Sequence, residues 1–160
     1  MEPVDAKQLN LDAKDYSYKK KNSGGFSYQY NTFKEASSSA EEVCGFSLQS
    51  AKDMDGVWMP LANLSAYVTI AEQKGFFEEQ DIFNEDSAIR LWLFLQIITG
   101  HDHTAKNVFY VAKYDETLKH NYQFYFAPWD MDLTWGNVSV GEKNPYYTEF
   151  EMETVDDKGD

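Results

Sequence analysis

The stretch from Ser87 to Pro128 leaves this chain few ways to fold. Ser87-Ala88-Ile89-Arg90-Leu91-Trp92-Leu93-Phe94-Leu95-Gln96-Ile97-Ile98 is apolar almost all round, a pattern that predicts a helix buried on most of its sides. Asn84 or Asp86 is placed to cap its start, and Gly100 breaks it. Val108-Phe109-Tyr110-Val111-Ala112 and Tyr122-Gln123-Phe124-Tyr125-Phe126-Ala127 then read as two strands. A charged turn from Lys113 to His120 joins them into a hairpin, and Pro128 closes it. Helix, loop, hairpin, loop is therefore the expected order, and the fold class is α+β.

Polar residues fall at the junctions of these elements. The loop after the helix reads Gly100-His101-Asp102-His103-Thr104-Ala105-Lys106-Asn107, and the hairpin runs out into Trp129-Asp130-Met131-Asp132-Leu133-Thr134-Trp135-Gly136. Asp-x-x-x-x-Asn followed by a strand ending in Asp is the polar core of a kinase-type phosphotransfer site. Such chemistry needs positioning and cancellation of phosphate charge more than covalent work. Asp102 would orient an incoming hydroxyl or accept its proton. Asn107 and Asp130 offer hard oxygen donors suited to Mg²⁺ or Mn²⁺, with Asp132 as another ligand or a brace. Lys106 could neutralise a phosphate, although a solvated lysine is the plainer reading. His101 and His103 open a rival reading. With Asp130 and Asp132 they could hold a metal that activates water, as in a hydrolase.

The rest of the chain carries weaker signals. Residues 1–25 read as polar and irregular, with a flexible Lys- and Gly-rich turn, and Phe26-Ser27-Tyr28-Gln29-Tyr30 alternates as a short strand would. Glu41-Glu42-Val43 suits a short helix. Asp53-Met54-Asp55-Gly56 suits a turn and lacks the later ligands of a calcium loop. From Pro60, the residues Leu61, Leu64, Val68 and Ala71 share one helical face, with Gly75 as the stop. Phe76 to Phe83 reads as a linker, and the acidic tail over 149–160 as disordered.

Composition narrows the partners. A length of 160 residues suits one domain with a real core. The formal net charge of −13 argues against nucleic acid or an anionic membrane as partner, because both attract a positive surface. No apolar run approaches the ~18 residues needed to span a bilayer, so membrane insertion is not expected. No secretory leader is visible at the start. Cys44 is the single cysteine, which leaves the redox compartment open.

Three stretches together resemble the CotH kinase family of spore-coat proteins. They are Asp81-Ile82-Phe83-Asn84-Glu85-Asp86-Ser87-Ala88-Ile89, the loop Gly100 to Asn107 running on to Tyr110, and Phe126-Ala127-Pro128-Trp129-Asp130-Met131-Asp132-Leu133-Thr134-Trp135-Gly136. The matching core covers residues 81–136 of one domain spanning 1–160. The resemblance implies an atypical protein-kinase-like fold, mainly its helical catalytic lobe with a β-hairpin carrying the metal loop. It also implies ATP with Mg²⁺ or Mn²⁺, and transfer of the γ-phosphate to a serine or threonine of a coat or surface protein. By position, Asp102 would be the catalytic Asp, and Asn107 with Asp130 or Asp132 the metal ligands. The sequence departs from the family's pattern: no Gly-x-Gly-x-x-Gly loop precedes Asp102, and neither a strand Lys to pair the phosphates nor a helix Glu to hold it can be assigned, Lys34, followed by Glu35, Glu41 and Glu42, being only a weak candidate. A non-catalytic surface-binding module on the same scaffold is the alternative from another class.

Overall fold

The computed structural model describes residues 7–50, 55–74, 80–98, 100, 106–131 and 134. Three helices and a five-stranded antiparallel sheet make up the described part. In chain order the elements are β1 (Tyr16–Lys20), α1 (Tyr30–Lys34), β2 (Glu42–Val43), β3 (Phe46–Leu48), α2 (Met59–Lys74), a 3₁₀ turn (Gln80–Ile82), α3 (Glu85–Ile97), β4 (Val108–Tyr114) and β5 (Tyr122–Pro128). The sheet order is β2-β3-β1-β4-β5.

The expected hairpin is present. β4 and β5 pair from Val108 opposite Pro128 to Tyr114 opposite Tyr122. The Asp115 carboxylate organises the turn between them, accepting from the Thr117 N–H at 2.9 Å and its hydroxyl at 2.7 Å. The centre of the sheet was not expected. Residues 16–20, assigned to an irregular segment, form β1, which lies between β3 and β4. Tyr16, Tyr18 and Lys20 alternate onto one face and Ser17 and Lys19 onto the other, the period of a strand. The run Lys19-Lys20-Lys21 hides that period, because a buried lysine breaks the usual code.

Two more expectations give way nearby. Glu42–Val43 is a strand and not a helix, because Cys44 and Gly45 both take positive φ, 49° and 74°, and so form a tight two-residue turn into β3. Phe26 to Tyr30 is not a strand. Tyr28 has φ 64°, and the segment is held against α2, where the Ser65 hydroxyl accepts from the Gln29 N–H and donates to the Phe26 carbonyl. Its aromatics are still used. The Phe26 ring meets Phe46 edge-on at 5.5 Å and Tyr110 at 6.1 Å.

The core lies between α1, α2 and one face of the sheet. Tyr18, Phe33, Phe46, Trp58, Leu61 and Phe124 are almost wholly buried there. Two of its large aromatics carry polar atoms that find partners. The Tyr18 hydroxyl donates to the Val57 carbonyl at 2.6 Å, and the Trp58 indole to the Ser37 carbonyl at 3.1 Å. Burial, reinforced by Tyr16 and Tyr122, raises the Tyr18 phenol well above its ordinary pKa, so it stays a donor.

α2 carries its apolar face as expected, with Leu61, Leu64 and Ala71 buried and Val68 packed against the core. At α3 the Asn84 side chain accepts from the Ser87 N–H at 2.8 Å, confirming one of the two candidate caps. The end of the expected linker pairs with the sheet, since Phe83 bridges Phe124 and the Asn84 N–H donates to the Phe124 carbonyl at 2.7 Å. With the Ser87 hydroxyl accepting from the Phe126 N–H at 2.9 Å, the start of α3 covers part of the outer edge of β5. The burial expected of α3 is corrected. Within the helix Leu95 is buried, whereas Ile89, Trp92, Leu93, Phe94 and Ile97 are exposed, Ile97 to 67%. Among the described residues the helix rests on β5 along one side, so its all-round apolar sequence overstates how many of its faces find partners there.

Candidate functional site

The hairpin brings two of the sequence-selected residues to one place. Asn107 immediately precedes β4, and Trp129 immediately follows β5. The Asn107 carbonyl accepts the Trp129 N–H at 2.8 Å, which extends the ladder one step past the strands. Asp130 is the next residue, so Asn107 and Asp130 emerge at the same end of the sheet. Both have φ 57°, in the left-handed region. Asn and Asp tolerate that region better than other non-glycine residues, because their short polar side chains can bond locally. Each turn therefore leaves the sheet sharply at a residue type that also suits a hard cation.

β1 completes this end of the sheet. The Asn107 N–H donates to the Lys20 carbonyl at 3.0 Å, so both backbone groups of Asn107 are tied, one to each neighbouring segment. Lys20 is only 2% exposed. Its ammonium donates to the Asn22 amide oxygen at 2.8 Å and to the Cys44 carbonyl at 3.3 Å, and lies 4.8 Å from the centre of the Phe46 ring. Burial lowers its pKa below the ordinary lysine value, against an opposing pull from Cys44 and Glu42. Lys20 was missed by sequence reasoning. The Tyr16-Ser17-Tyr18 alternation was the available signal for its strand.

On the other face of β1, Lys19 lies opposite Phe109. The Trp129 and Phe109 rings meet in a T-shaped contact at 5.4 Å, and the Lys19 ammonium lies 4.8 Å from the Trp129 ring centre. Lys106 and Asp130 are half-buried. Asp102 and Asp132, with His101 and His103, lie outside the described residues. Among the described residues no group of three His, Cys, Asp or Glu side chains is gathered for a metal. The backbone sets Asn107 and Asp130 at the same end of the sheet, an amide side chain and a carboxylate just beyond the β4–β5 ladder.

A shallow groove of about 470 Å³ runs between α3 and β5 and ends at Pro128, next to this site. It is lined by Leu91, Phe94, Tyr125 and Phe126, with Asp86 and Arg90 at its rim. The latter two form an exposed ion pair at 2.7 Å, one helical turn apart. No helix among the described residues is long and apolar enough to cross a membrane.

No protein-family model matches this chain, and no curated protein matches its sequence.

Proposed function

We propose that this chain is a kinase-like phosphotransferase of the CotH type, or the catalytic lobe of one, acting on a serine or threonine hydroxyl of a protein. The observation that supports it most directly is the Asn107–Trp129 backbone bond, which sets Asn107 beside Asp130 at the end of the β4–β5 hairpin. The sequence order agrees, with Asp102 five residues before Asn107 on the loop entering β4.

The donor set fits Mg²⁺ or Mn²⁺, because an amide oxygen and a carboxylate are hard ligands and no sulfur is involved. A divalent ion with ATP would supply the charge that offsets the phosphates. The chain's own residues then hold and orient. Asn107 is pinned through its backbone from two sides, which fixes where its side chain leaves the sheet. Asp130 follows a tryptophan fixed by the sheet. Asp102 takes the role of orienting the protein hydroxyl and accepting its proton. Asp132 is a second carboxylate two residues on, and Lys106 a cation next to Asn107.

A second reading, a non-catalytic binding module, draws on a different observation: the exposed apolar side of α3. The two readings part on transfer. With labelled ATP and Mn²⁺, the first expects label on the chain itself or on an added protein, lost in Asp102→Ala while nucleotide binding persists. Label transfer at the wild-type rate in Asp102→Ala would remove Asp102 from the chemistry. Nucleotide binding without any transfer would favour the module.

A further inference from the structure

We infer that Lys19 is a positioning residue: by lying over the Trp129 ring while Phe109 packs T-shaped against that ring, it locks the turn that presents Asp130 next to Asn107. This rests on the reading of Asn107 and Asp130 as ligands.

The argument starts from what fixes Asp130. Non-glycine residues seldom hold φ near 57°, and Asp130 is a half-buried Asp just past a strand end that holds it. Among the described residues, Trp129 anchors the chain just before it. Its N–H is taken by the Asn107 carbonyl, and its ring is diagonal to Phe109, a residue only 2% exposed. An edge-to-face contact restrains one side of the ring. Lys19 supplies the opposite kind of contact, a cation on the ring face, from the strand next to β4. Lys19 and Lys20 thus act at the same end of the sheet by separate routes. Lys20 reaches Asn107 through its carbonyl, and Lys19 reaches Asp130 through the indole of Trp129.

The test compares wild type, Lys19→Met, Lys19→Arg and Asp130→Asn by two readouts: Mn²⁺ titration in a calorimeter, and amide hydrogen exchange by NMR. Arg keeps a cation for the ring; Met keeps the stem without the charge. Lys19→Met is expected to weaken Mn²⁺ binding roughly fivefold and to speed exchange of the Trp129 amide by a similar factor, with Lys19→Arg close to wild type in both. The Ala62 amide of α2, bonded to the Trp58 carbonyl, should keep its rate. An unchanged Trp129 rate in Lys19→Met would overturn the proposal, as would equal acceleration at Ala62, which marks general destabilisation. If Asp130→Asn loses Mn²⁺ while Lys19→Met binds as wild type, the metal reading stands and the positioning role falls. If the wild type binds no Mn²⁺, the metal reading falls, and with it the role of Lys19 toward the ion. The exchange data then decide only whether Lys19 holds the turn.

Discussion

The Asn107 carbonyl accepts the Trp129 N–H while the Asn107 N–H donates to the Lys20 carbonyl, so one asparagine joins β1, β4 and β5 at a single end of the sheet. This makes the residue both a structural joint and a candidate ligand, and the two roles separate by substitution. Asn107→Gly keeps access to positive φ and removes the amide oxygen. It should cost no more than about 1 kcal/mol of stability and weaken Mn²⁺ binding roughly tenfold or more. Asn107→Ala should lose binding to the same extent and destabilise by about 1 kcal/mol beyond the Gly variant, as an alanine is strained at φ 57°. Urea melts and metal titration of both variants check this. Equal binding in wild type and Asn107→Gly would leave only the structural role.

The turn between β2 and β3 offers a sharper stability test. Gly45 has φ 74°, and a Cβ there would clash with the Asn22 side-chain oxygen. That oxygen accepts from the buried Lys20 ammonium. Gly45→Ala should therefore strain the turn and push Asn22 away from Lys20, destabilising by roughly 2 to 4 kcal/mol. Adding Asn22→Gly relieves the clash but not the φ strain or the missing acceptor. The double variant should recover only part of the loss, as a thermal melt series would show.

Asp15 gives a pH signature. It is 4% exposed and accepts from Lys113 at 2.6 Å, the Tyr114 N–H at 2.8 Å and the Asp12 N–H at 2.8 Å. Burial pushes its pKa up, but these donors together outweigh burial and leave it below 3.8. A carboxylate with a depressed folded pKa adds stability that is complete above the unfolded value and is lost as pH falls through the folded one. Urea midpoints should thus fall as pH drops below 3.8. Asp15→Asn should be weaker by about 2 kcal/mol at neutral pH and show a shallower acid loss. The same acid slope in both proteins would show that Asp15 is not the group responsible.

Within α3, neighbouring leucines should behave in opposite ways. Leu95→Ala removes a side chain that is 6% exposed and should cost about 2 to 4 kcal/mol. Leu93, 48% exposed, should accept Gln within about 0.5 kcal/mol. A large loss in Leu93→Gln would mean that the outer side of α3 is covered in solution.

Sequence pattern revealed the parts of this fold that depend on short-range order. The β4–β5 hairpin, the start of α3 at Asn84 and the face of α2 all follow from period and capping within a few residues. β1 did not, because its value lies in pairing with Val108 to Ala112, far along the chain, and its lysines mask the alternation. β2 and β3 are too short to carry a period of their own. The exposed side of α3 shows a different limit. Apolar sequence states what a helix could bury, not how many neighbours it has. At the candidate site, Asn107 and Asp130 could be brought together from the hairpin alone, whereas Lys19 and Lys20 enter only through the sheet order.

The most direct measurement is calorimetric titration of ATP, with and without Mn²⁺, into the wild-type chain and Asp130→Asn. A phosphotransfer site built on Asn107 and Asp130 should bind ATP only with the metal, and Asp130→Asn should lose that binding by tenfold or more while melting at the wild-type temperature. Metal-dependent ATP binding of equal strength in both proteins, or none in a folded wild type, would contradict it.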